Sequence, residues 1–255
     1  MLRLSSLPVK PLGFGKCRAC PYYETGPAEL CFACAHESIT KLAHSAERCR
    51  VCDRPYDPDE KKCHNPICNW NDRCFKWNFS IAMRNGEIER VIGRYKFHGR
   101  HHWATIFARV LVGFLEDESE LFKQFDLIVA SPTYVGPEAR FDHTRRVIEL
   151  AHVESRGEWP FDVGAASKAI IKTADTPKMK EQKSWKMRDE IARNNLRNAL
   201  TVPDPRRTKG KAILVYDDVF TDGHTLNEVA RCLKLKGQAR EVCGVTLARQ
   251  PWGRR

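Results

Sequence analysis

The sequence has no long apolar run: it contains no stretch of about 18 consecutive hydrophobic residues, the length that marks a membrane-spanning helix. The first residues, MLRLSSLPVKPLGFGKC, also lack the sustained apolar core and the small-residue cleavage site of a secretory signal. Internal repeats and low-complexity tracts are absent as well. These absences predict a cytoplasmic globular protein that is not inserted into a membrane.

Acidic residues are fewer than basic ones. The 255-residue chain has 43 Lys and Arg against 32 Asp and Glu, which gives a formal net charge of +11. Between Lys178 and Lys211 there are eleven basic and four acidic residues, so the excess is concentrated there. A basic excess favours polyanions such as nucleic acid or phosphorylated metabolites, although it can also serve solubility alone.

Cysteine is abundant near the N-terminus, where eight of the eleven cysteines lie between Cys17 and Cys68. Thiols stay reduced in the cytosol, and clustered reduced thiols indicate a metal. The CxxC spacing predicts two zinc sites. Both sites would be structural, because a closed four-cysteine site leaves no open coordination position for a substrate. The predicted ligands are Cys17, Cys20, Cys31 and Cys34 at the first site and Cys49, Cys52, Cys63 and Cys68 at the second.

The cysteine pattern also has other readings. His64 or Cys74 could replace a cysteine at the second site. Iron–sulfur clusters and disulfides compete with zinc, although paired CxxC knuckles of this kind favour zinc. Cys232 and Cys243 fall in apolar patterns, which predicts that they are buried.

The composition changes near residue 75, which predicts two domains: a cysteine-rich zinc-binding module over 1–75 and an α/β domain over 76–255. Asn85-Gly86 predicts a β-hairpin between two β-capable runs. Apolar spacing predicts helices in HWATIFARVLVGFLEDES and in PEARFDHTRRVIELAHV, the second with Pro137 in its first turn. FDLIVASP, KAILVYDD and EVCGVTLARQ are predicted strands, and strands that alternate with helices indicate a mostly parallel sheet.

The stretch ILVYDDVFTDGHTL combines a strand that ends in two carboxylates with a polar loop before a helix. Ligands bind where parallel strands end, and a helix N-terminus favours an anion. Asp217 and Asp218 suit the vicinal hydroxyls of a sugar or a divalent cation. Together with a phosphate held at 221–225, these acids predict a site for a ribose 5-phosphate group.

This stretch resembles the phosphoribosyl pyrophosphate (PRPP) motif of type I phosphoribosyltransferases. With the cysteine knuckles in front, the chain resembles the ComF-like, competence-associated phosphoribosyltransferase family with an N-terminal double zinc ribbon. RYKFHGR, PEARFDHTRRVIELA and RNNLRNAL are similar to further segments of that family. The resemblance implies a type I phosphoribosyltransferase-like α/β core with a central, mostly parallel sheet.

The resemblance also implies a set of site residues. Asp217 and Asp218 would bind the ribose hydroxyls. The implied phosphate contacts are Thr221, Asp222, Gly223, His224 and Thr225 in the loop, with Ser131, Lys96 and Arg140 elsewhere. Asp222 departs from the family, which has a small hydroxyl residue there, and it would weaken phosphate binding unless it turns outward or pairs with a base. His224 is predicted to be exposed, and 174–184 to be either a mobile hood or a solvated linker.

The implied function is binding of PRPP in DNA uptake or DNA processing, with single-stranded DNA and a DNA-uptake helicase as partners. Aromatic residues among basic ones support contact with single-stranded DNA, namely Trp77, His102-Trp103 and Trp185. The alternative is an active phosphoribosyltransferase of nucleobase salvage, which would require Mg²⁺. The sequence does not define an acceptor base.

Overall fold

A sheet of four parallel strands, in the order β1-β6-β5-β2, forms the centre of the computed structural model. A second, antiparallel sheet pairs β3 with β4. The structure describes residues 48–56, 62–84, 86–134, 136, 141–164, 168–182 and 184–251. The strands are β1 (Asn78–Met83), β2 (Leu127–Ala130), β3 (Ile171–Lys172), β4 (Leu200–Thr201), β5 (Ala212–Phe220) and β6 (Glu241–Arg249). The predicted α/β class with a central parallel sheet is confirmed.

Helices lie between the strands of the large sheet. They are α1 (Gly86–Phe97), α2 (Ala104–Asp117), α3 (Ser119–Phe122), α4 (His143–Glu154), α5 (Trp185–Ile191), α6 (Arg197–Ala199) and α7 (His224–Leu235). A π-helical turn, Ala192–Leu196, joins α5 to α6. Single 3₁₀ turns are Pro66–Asn69, His101–Trp103, Met179–Glu181 and Pro205–Arg207. No helix in the described part of the chain is long and apolar enough to cross a membrane.

Each face of the large sheet packs against its own apolar core, because successive side chains of a strand point to opposite faces. On one face Leu214 and Tyr216 of β5 pack with residues of α1, α2 and α4. On the other face Ile213 and Val215 pack with residues of α7 and with the cysteine-rich segment around Cys52. The described part of that segment therefore packs directly on the sheet.

The predicted hairpin across Asn85-Gly86 is wrong. Only β1 is a strand, and the residues after it form α1. The reason is the spacing of Ile88, Val91, Ile92 and Tyr95, all of which are buried. This i, i+3, i+4, i+7 pattern gives a helix one apolar face, and burial of that face outweighs the local turn signal. Strand β1 pairs in parallel with β6 instead.

The helix that contains HTRRVIELAHV begins later than predicted. It starts at His143, because Asp142 caps it by accepting a 3.0 Å hydrogen bond from the Arg145 backbone N–H. Pro137, which the sequence predicted in the first turn, lies outside the described residues. The other predicted helices and strands are present, and Cys232 and Cys243 are buried as expected.

Candidate sugar-phosphate site

The acidic pair lies near the carboxyl end of β5, at the edge where parallel strands open onto a ligand crevice. Asp217 is paired in register with Thr246 of β6. The strand does not end at the acids, as the sequence suggested, but continues to Phe220, because its last residues still pair with β6. The carboxylates therefore project from a rigid strand.

Asp218 is buried and is held by two basic side chains. Lys96 Nζ of α1 lies 2.7 Å from Asp218 Oδ2, and His143 Nε2 of α4 lies 3.5 Å from the same oxygen. Burial alone would raise the pKa of Asp218, but Lys96 and His143 outweigh it and lower the pKa to about 2. Asp218 is thus a carboxylate at neutral pH, and Lys96 neutralises it.

Asp217 has a different environment, although it is the next residue. It is partly exposed, and its Oδ1 accepts a 2.8 Å hydrogen bond from the backbone N–H of Asp218. Desolvation and the neighbouring Asp218 charge raise the pKa of Asp217 to about 7. Within the described residues no side-chain cation forms an ion pair with it. Asp217 is therefore the carboxylate of the pair with capacity left for a ligand.

The loop 221–225 follows β5 and leads into α7. Gly223 adopts φ +92°, and a Cβ there would lie 2.6 Å from Phe220 Cζ, so only glycine fits this turn. The backbone carbonyls of Thr221 and Asp222 accept hydrogen bonds from Arg249 and Asn65. The first N–H groups of a helix have no partner within the helix, so the start of α7 offers donors to an anion.

Asp222, the departure from the family pattern, pairs with a base. Its Oδ2 lies 2.5 Å from Arg188 Nε, and both side chains are almost fully buried. Arg188 also donates from Nη1 to the backbone carbonyl of Gln182 at 2.7 Å. The charge of Asp222 is therefore neutralised inside the protein, which removes the repulsion that the sequence predicted for a phosphate.

His224 is buried, so the prediction of an exposed side chain is wrong. Its ring packs 4.9 Å from the ring of Trp185 and 5.8 Å from that of Trp70, measured between centroids. Burial lowers the pKa of His224, which keeps the imidazole neutral at neutral pH. Two tryptophans that are distant in sequence cover this residue, which a single-sequence reading does not anticipate.

One cavity of about 640 Å³ connects most of the predicted site residues. This size is suited to a small ligand. The predicted residues on its wall are Asp217, Asp218, Thr221, Asp222, Gly223, His224, Thr225, Ser131 and Lys96. Arg140 lies outside the described residues. Ser131 is anchored by its backbone, since its N–H donates to Tyr216 O at 2.7 Å.

The segment predicted as a hood or linker also borders this cavity. Its lining residues are Asp175, Thr176, Pro177, Lys178, Met179 and Gln182. Because Arg188 joins the carbonyl of Gln182 to Asp222, this segment is connected to the loop 221–225. That contact holds Gln182 in the fold, whereas Ala174, Asp175, Pro177 and Lys178 are exposed, so the choice between a mobile hood and a solvated linker stays a prediction.

A cluster of four cysteines has the geometry of a metal centre. The Sγ atoms of Cys49, Cys52, Cys63 and Cys68 all lie within 4.8 Å of one another, and three pairs are separated by 3.6–3.7 Å. Tetrahedral Zn²⁺ with bonds of about 2.3 Å requires sulfur pairs about 3.8 Å apart. Neither His64 nor Cys74 belongs to the cluster. The second predicted set of ligands thus fits one metal ion, and the four free thiols do not form disulfides.

The contacts within the cluster favour ionised sulfur at Cys49 and Cys52, whereas the hydrogen bonds with those two thiols raise the pKa of Cys63 and Cys68. Hydrogen bonds from the neighbouring thiols, first that of Cys49, hold the pKa of Cys52 well below its usual range, and Arg249 adds to this effect. Thiolates are the form that binds a metal. The first predicted set, Cys17, Cys20, Cys31 and Cys34, lies outside the described residues and stays a prediction.

The aromatic residues offered as contacts for single-stranded DNA are largely occupied within the protein. Trp103 is fully buried in the core, so its indole cannot stack on a base. Trp77 packs against the same core, and Trp185 packs on Trp70 and His224. The aromatic part of the nucleic-acid argument therefore fails for Trp103 and stays a prediction for the partly exposed Trp77 and Trp185 and for the exposed His102.

Sequence reasoning missed three residues that hold the site together: Arg188, Arg249 and Asn65. Each is buried and donates to the backbone or the carboxylate of the loop 220–222. Their partners lie between 28 and 157 residues away in sequence. Local motifs carry no signal for such pairs, although a charged residue within an apolar strand, as at Arg249, is unusual enough to mark a buried contact.

These features define a class: an α/β protein with an acidic pair and a polar loop at the edge of a parallel sheet, and with a four-cysteine cluster packed on that sheet. No protein-family model matches the chain. The chain is 22% identical over 236 residues to competence protein ComFC of Bacillus subtilis (strain 168), and the match spans 87% of this chain and 84% of that protein. The similarity supports a relationship to ComF-like proteins.

Proposed function

We propose that this protein binds PRPP, or another ribose 5-phosphate compound, and acts in natural competence or in DNA processing. The observation that carries the proposal is the meeting of Asp217 and the loop 221–225 on one cavity of about 640 Å³. Asp217 would bind the ribose hydroxyls, and the N-terminus of α7 would bind the 5-phosphate. The similarity to ComFC supports the competence role.

The contacts of Lys96 change its proposed role. Its ammonium group is paired with Asp218 at 2.7 Å, and burial alone would lower its pKa, but the two carboxylates outweigh burial and raise it. We infer that Lys96 first compensates the acidic pair and contacts a phosphate only where that phosphate lies beside Asp218. Ser131 remains a proposed phosphate contact from the loop after β2.

An active phosphoribosyltransferase of nucleobase salvage is the second candidate. The partly exposed Asp217 favours it, because no side-chain cation of the described residues pairs with this carboxylate, which leaves its oxygens able to bind a divalent cation. The reaction would break the bond between ribose C1 and pyrophosphate and form a bond from C1 to a base nitrogen, which loses its proton. Mg²⁺ would neutralise the departing pyrophosphate. The protein's part would be to orient the ribose and exclude water.

We also propose that the cluster of Cys49, Cys52, Cys63 and Cys68 holds Zn²⁺ in a structural role. Spacing and mutual distances of the sulfur atoms support zinc. Single-stranded DNA and a DNA-uptake helicase remain proposed partners, supported by the net charge of +11. A cytoplasmic location and the division at residue 75 stay predictions.

Calorimetry with PRPP tests the ligand site. The double substitution Asp217→Asn and Asp218→Asn should abolish PRPP binding while the zinc content and a cooperative unfolding transition persist; the unfolding midpoint should shift, because Lys96 loses its ion-pair partner. A matched control is Asp117→Asn with Glu118→Gln, which removes two adjacent exposed carboxylates from the end of α2. The site assignment is rejected if the first double variant binds PRPP as tightly as the control. Pyrophosphate release with each nucleobase then separates the enzyme from the binding protein.

A further inference from the structure

Arg249, at the end of β6, connects the cysteine cluster to the loop 221–225. Its Nε donates to the backbone carbonyl of Cys52 at 3.0 Å, and Nη2 lies 3.7 Å from Cys52 Sγ. On its other side Nη1 donates to the carbonyl of Thr221 at 2.7 Å and to that of Phe220 at 3.2 Å. The side chain is 1% exposed, so water cannot replace these bonds.

A second connection comes from the chain between two cysteine ligands. Asn65 lies between Cys63 and Cys68, is fully buried, and donates from Nδ2 to the carbonyl of Asp222 at 3.3 Å. Two residues later, Ile67 packs on the loop: a Cβ added to Gly223 would lie 3.1 Å from Ile67 Cδ1. The cysteine segment thus contacts the loop at two consecutive residues, the carbonyl of Asp222 and the backbone of Gly223.

Both connections depend on where the four sulfur atoms are. Cys52 supplies the carbonyl that Arg249 binds, and Asn65 stands in the short segment that Cys63 and Cys68 close. A short segment with many turns holds its shape poorly by apolar packing alone, and a metal at its thiols supplies the missing constraint. Without a metal at these thiols, Cys52 and Asn65 would lose the same constraint together.

We propose that Arg249 and Asn65 are positioning residues through which metal occupancy of the Cys49, Cys52, Cys63 and Cys68 cluster sets the affinity of the 221–225 loop for a sugar phosphate. The affinity part rests on the proposed function. The positional part does not, because the order of the loop can be measured without a ligand. The cluster is then a control element for the ligand site as well as a structural one.

The test uses the full-length protein with its metal, the protein after extraction by a chelator, and the variants Arg249→Lys and Asn65→Ala with metal retained. Lysine keeps the charge but cannot span Cys52 and Thr221 as the guanidinium fork does. Zinc is quantified in every sample. PRPP affinity is measured by calorimetry, and hydrogen exchange is followed at the amides of 221–226 and of β2.

The chelated protein and both variants should bind PRPP about tenfold or more weakly, the equivalent of about 1.4 kcal/mol. The amides of 221–226 should exchange at least about tenfold faster, while those of β2 stay unchanged. Arg109→Lys is the matched control: Arg109 is also buried, but it binds Glu154 on the opposite face of the sheet. It should lower stability without altering exchange in the loop.

Different outcomes separate this inference from the proposed function. If the metal-loaded wild type does not bind PRPP, the proposed function fails, and the exchange of 221–226 alone decides the coupling. Equal loop exchange in the loaded protein, the chelated protein and Arg249→Lys overturns the coupling even if PRPP binds. If chelation unfolds the whole chain, loop exchange in the two zinc-retaining variants tests the coupling. If Arg249→Lys does not fold, loop exchange in Asn65→Ala tests it.

Discussion

At the scale of single residues, two neighbouring aspartates behave as different chemical groups. Asp218 is buried and paired with Lys96, and its pKa falls to about 2, whereas the pKa of Asp217 rises to about 7. The protein thus holds one fixed carboxylate and one that changes its charge near neutral pH. Such a separation of pKa values is typical of functional sites.

Asp217→Asn should stabilise the ligand-free protein in a pH-dependent way. The carboxyl ionises near pH 4 in the unfolded chain but only at about 7 in the folded one, so the wild type loses stability as the pH rises between these values. Asparagine removes this loss. The gain should be absent below about pH 4 and reach about 1–2 kcal/mol above about pH 7, after allowance for solvent screening. Urea unfolding across this range measures it.

The exposed Asp117→Asn provides the control, since no gain that grows with pH is expected there. A gain for Asp217→Asn that does not depend on pH would contradict the pKa assignment.

The residue types at this site were predictable, but their partners were not. A strand, two acids and a T-x-G-x-T loop lie within one short stretch and can be read directly. The base that neutralises Asp222 is Arg188, 34 residues away, in a segment where eleven basic residues compete for the role. Only the packing of α5 on the loop selects Arg188. For the same reason the cover over His224, made by Trp70 and Trp185, was not visible in the sequence.

At the scale of elements, the fit between neighbouring elements decides the position of the loop. Gly244 of β6 lies where β1 and α7 come together: a Cβ there would be 2.5 Å from Leu226 Cδ2 and 2.6 Å from Asn78 Oδ1. Both neighbours are buried and cannot move freely. The close contact of Leu226 with Gly244 therefore fixes the position of the start of α7 on the sheet.

Gly244→Ala should destabilise the protein by about 1–3 kcal/mol, because the extra methyl group overpacks this contact. Gly93→Ala is a suitable comparison, since a Cβ on that residue of α1 meets nothing within 4 Å. Alanine is the better helix former by up to about 1 kcal/mol, so that variant should be unchanged or more stable. Chemical denaturation of both variants gives the difference, and equal stabilities would refute the packing argument.

The sequence predicted those helices and strands whose type follows from local composition. Strands β2, β5 and β6 are short apolar runs between turns, and α2 has a clear apolar spacing, so their type follows from composition. The segment 86–97 carries both a turn signal and helical spacing. The turn signal is local, whereas the helix gains from burial against α2 and the sheet, and that gain depends on tertiary packing.

At the scale of the whole molecule, the positive charge is the property most open to a partner. The stretch from Lys178 to Lys211 carries eleven basic residues, and Lys178 and Lys186 in it are exposed. Because Trp103 is buried and Trp77 and Trp185 are only partly exposed, we expect affinity for single-stranded DNA to come mainly from phosphate contacts. Such affinity depends steeply on salt, because each contact releases a counterion.

We expect a labelled single-stranded oligonucleotide to bind with an affinity whose logarithm falls linearly with the logarithm of salt, by about 0.7 per phosphate contact. Lys178→Glu with Lys186→Glu should weaken binding and reduce this slope. Lys123→Glu, an exposed substitution after α3, should have a smaller effect. Fluorescence anisotropy measures all three proteins, and binding that is absent at low salt or insensitive to salt would exclude the DNA partner.

The position of β6 in the sheet has a consequence for biosynthesis. This strand follows the other three in the chain, yet it lies between β1 and β5 and carries Arg249 at its end. While a ribosome is still making β6, β1 has no neighbouring strand in the large sheet and Cys52 lacks its guanidinium partner. The sheet and the loop 221–225 should therefore assemble only after β6 has been synthesised, and a nascent chain stalled before β6 would expose the edges of β1 and β5 that β6 covers to proteases and to aggregation.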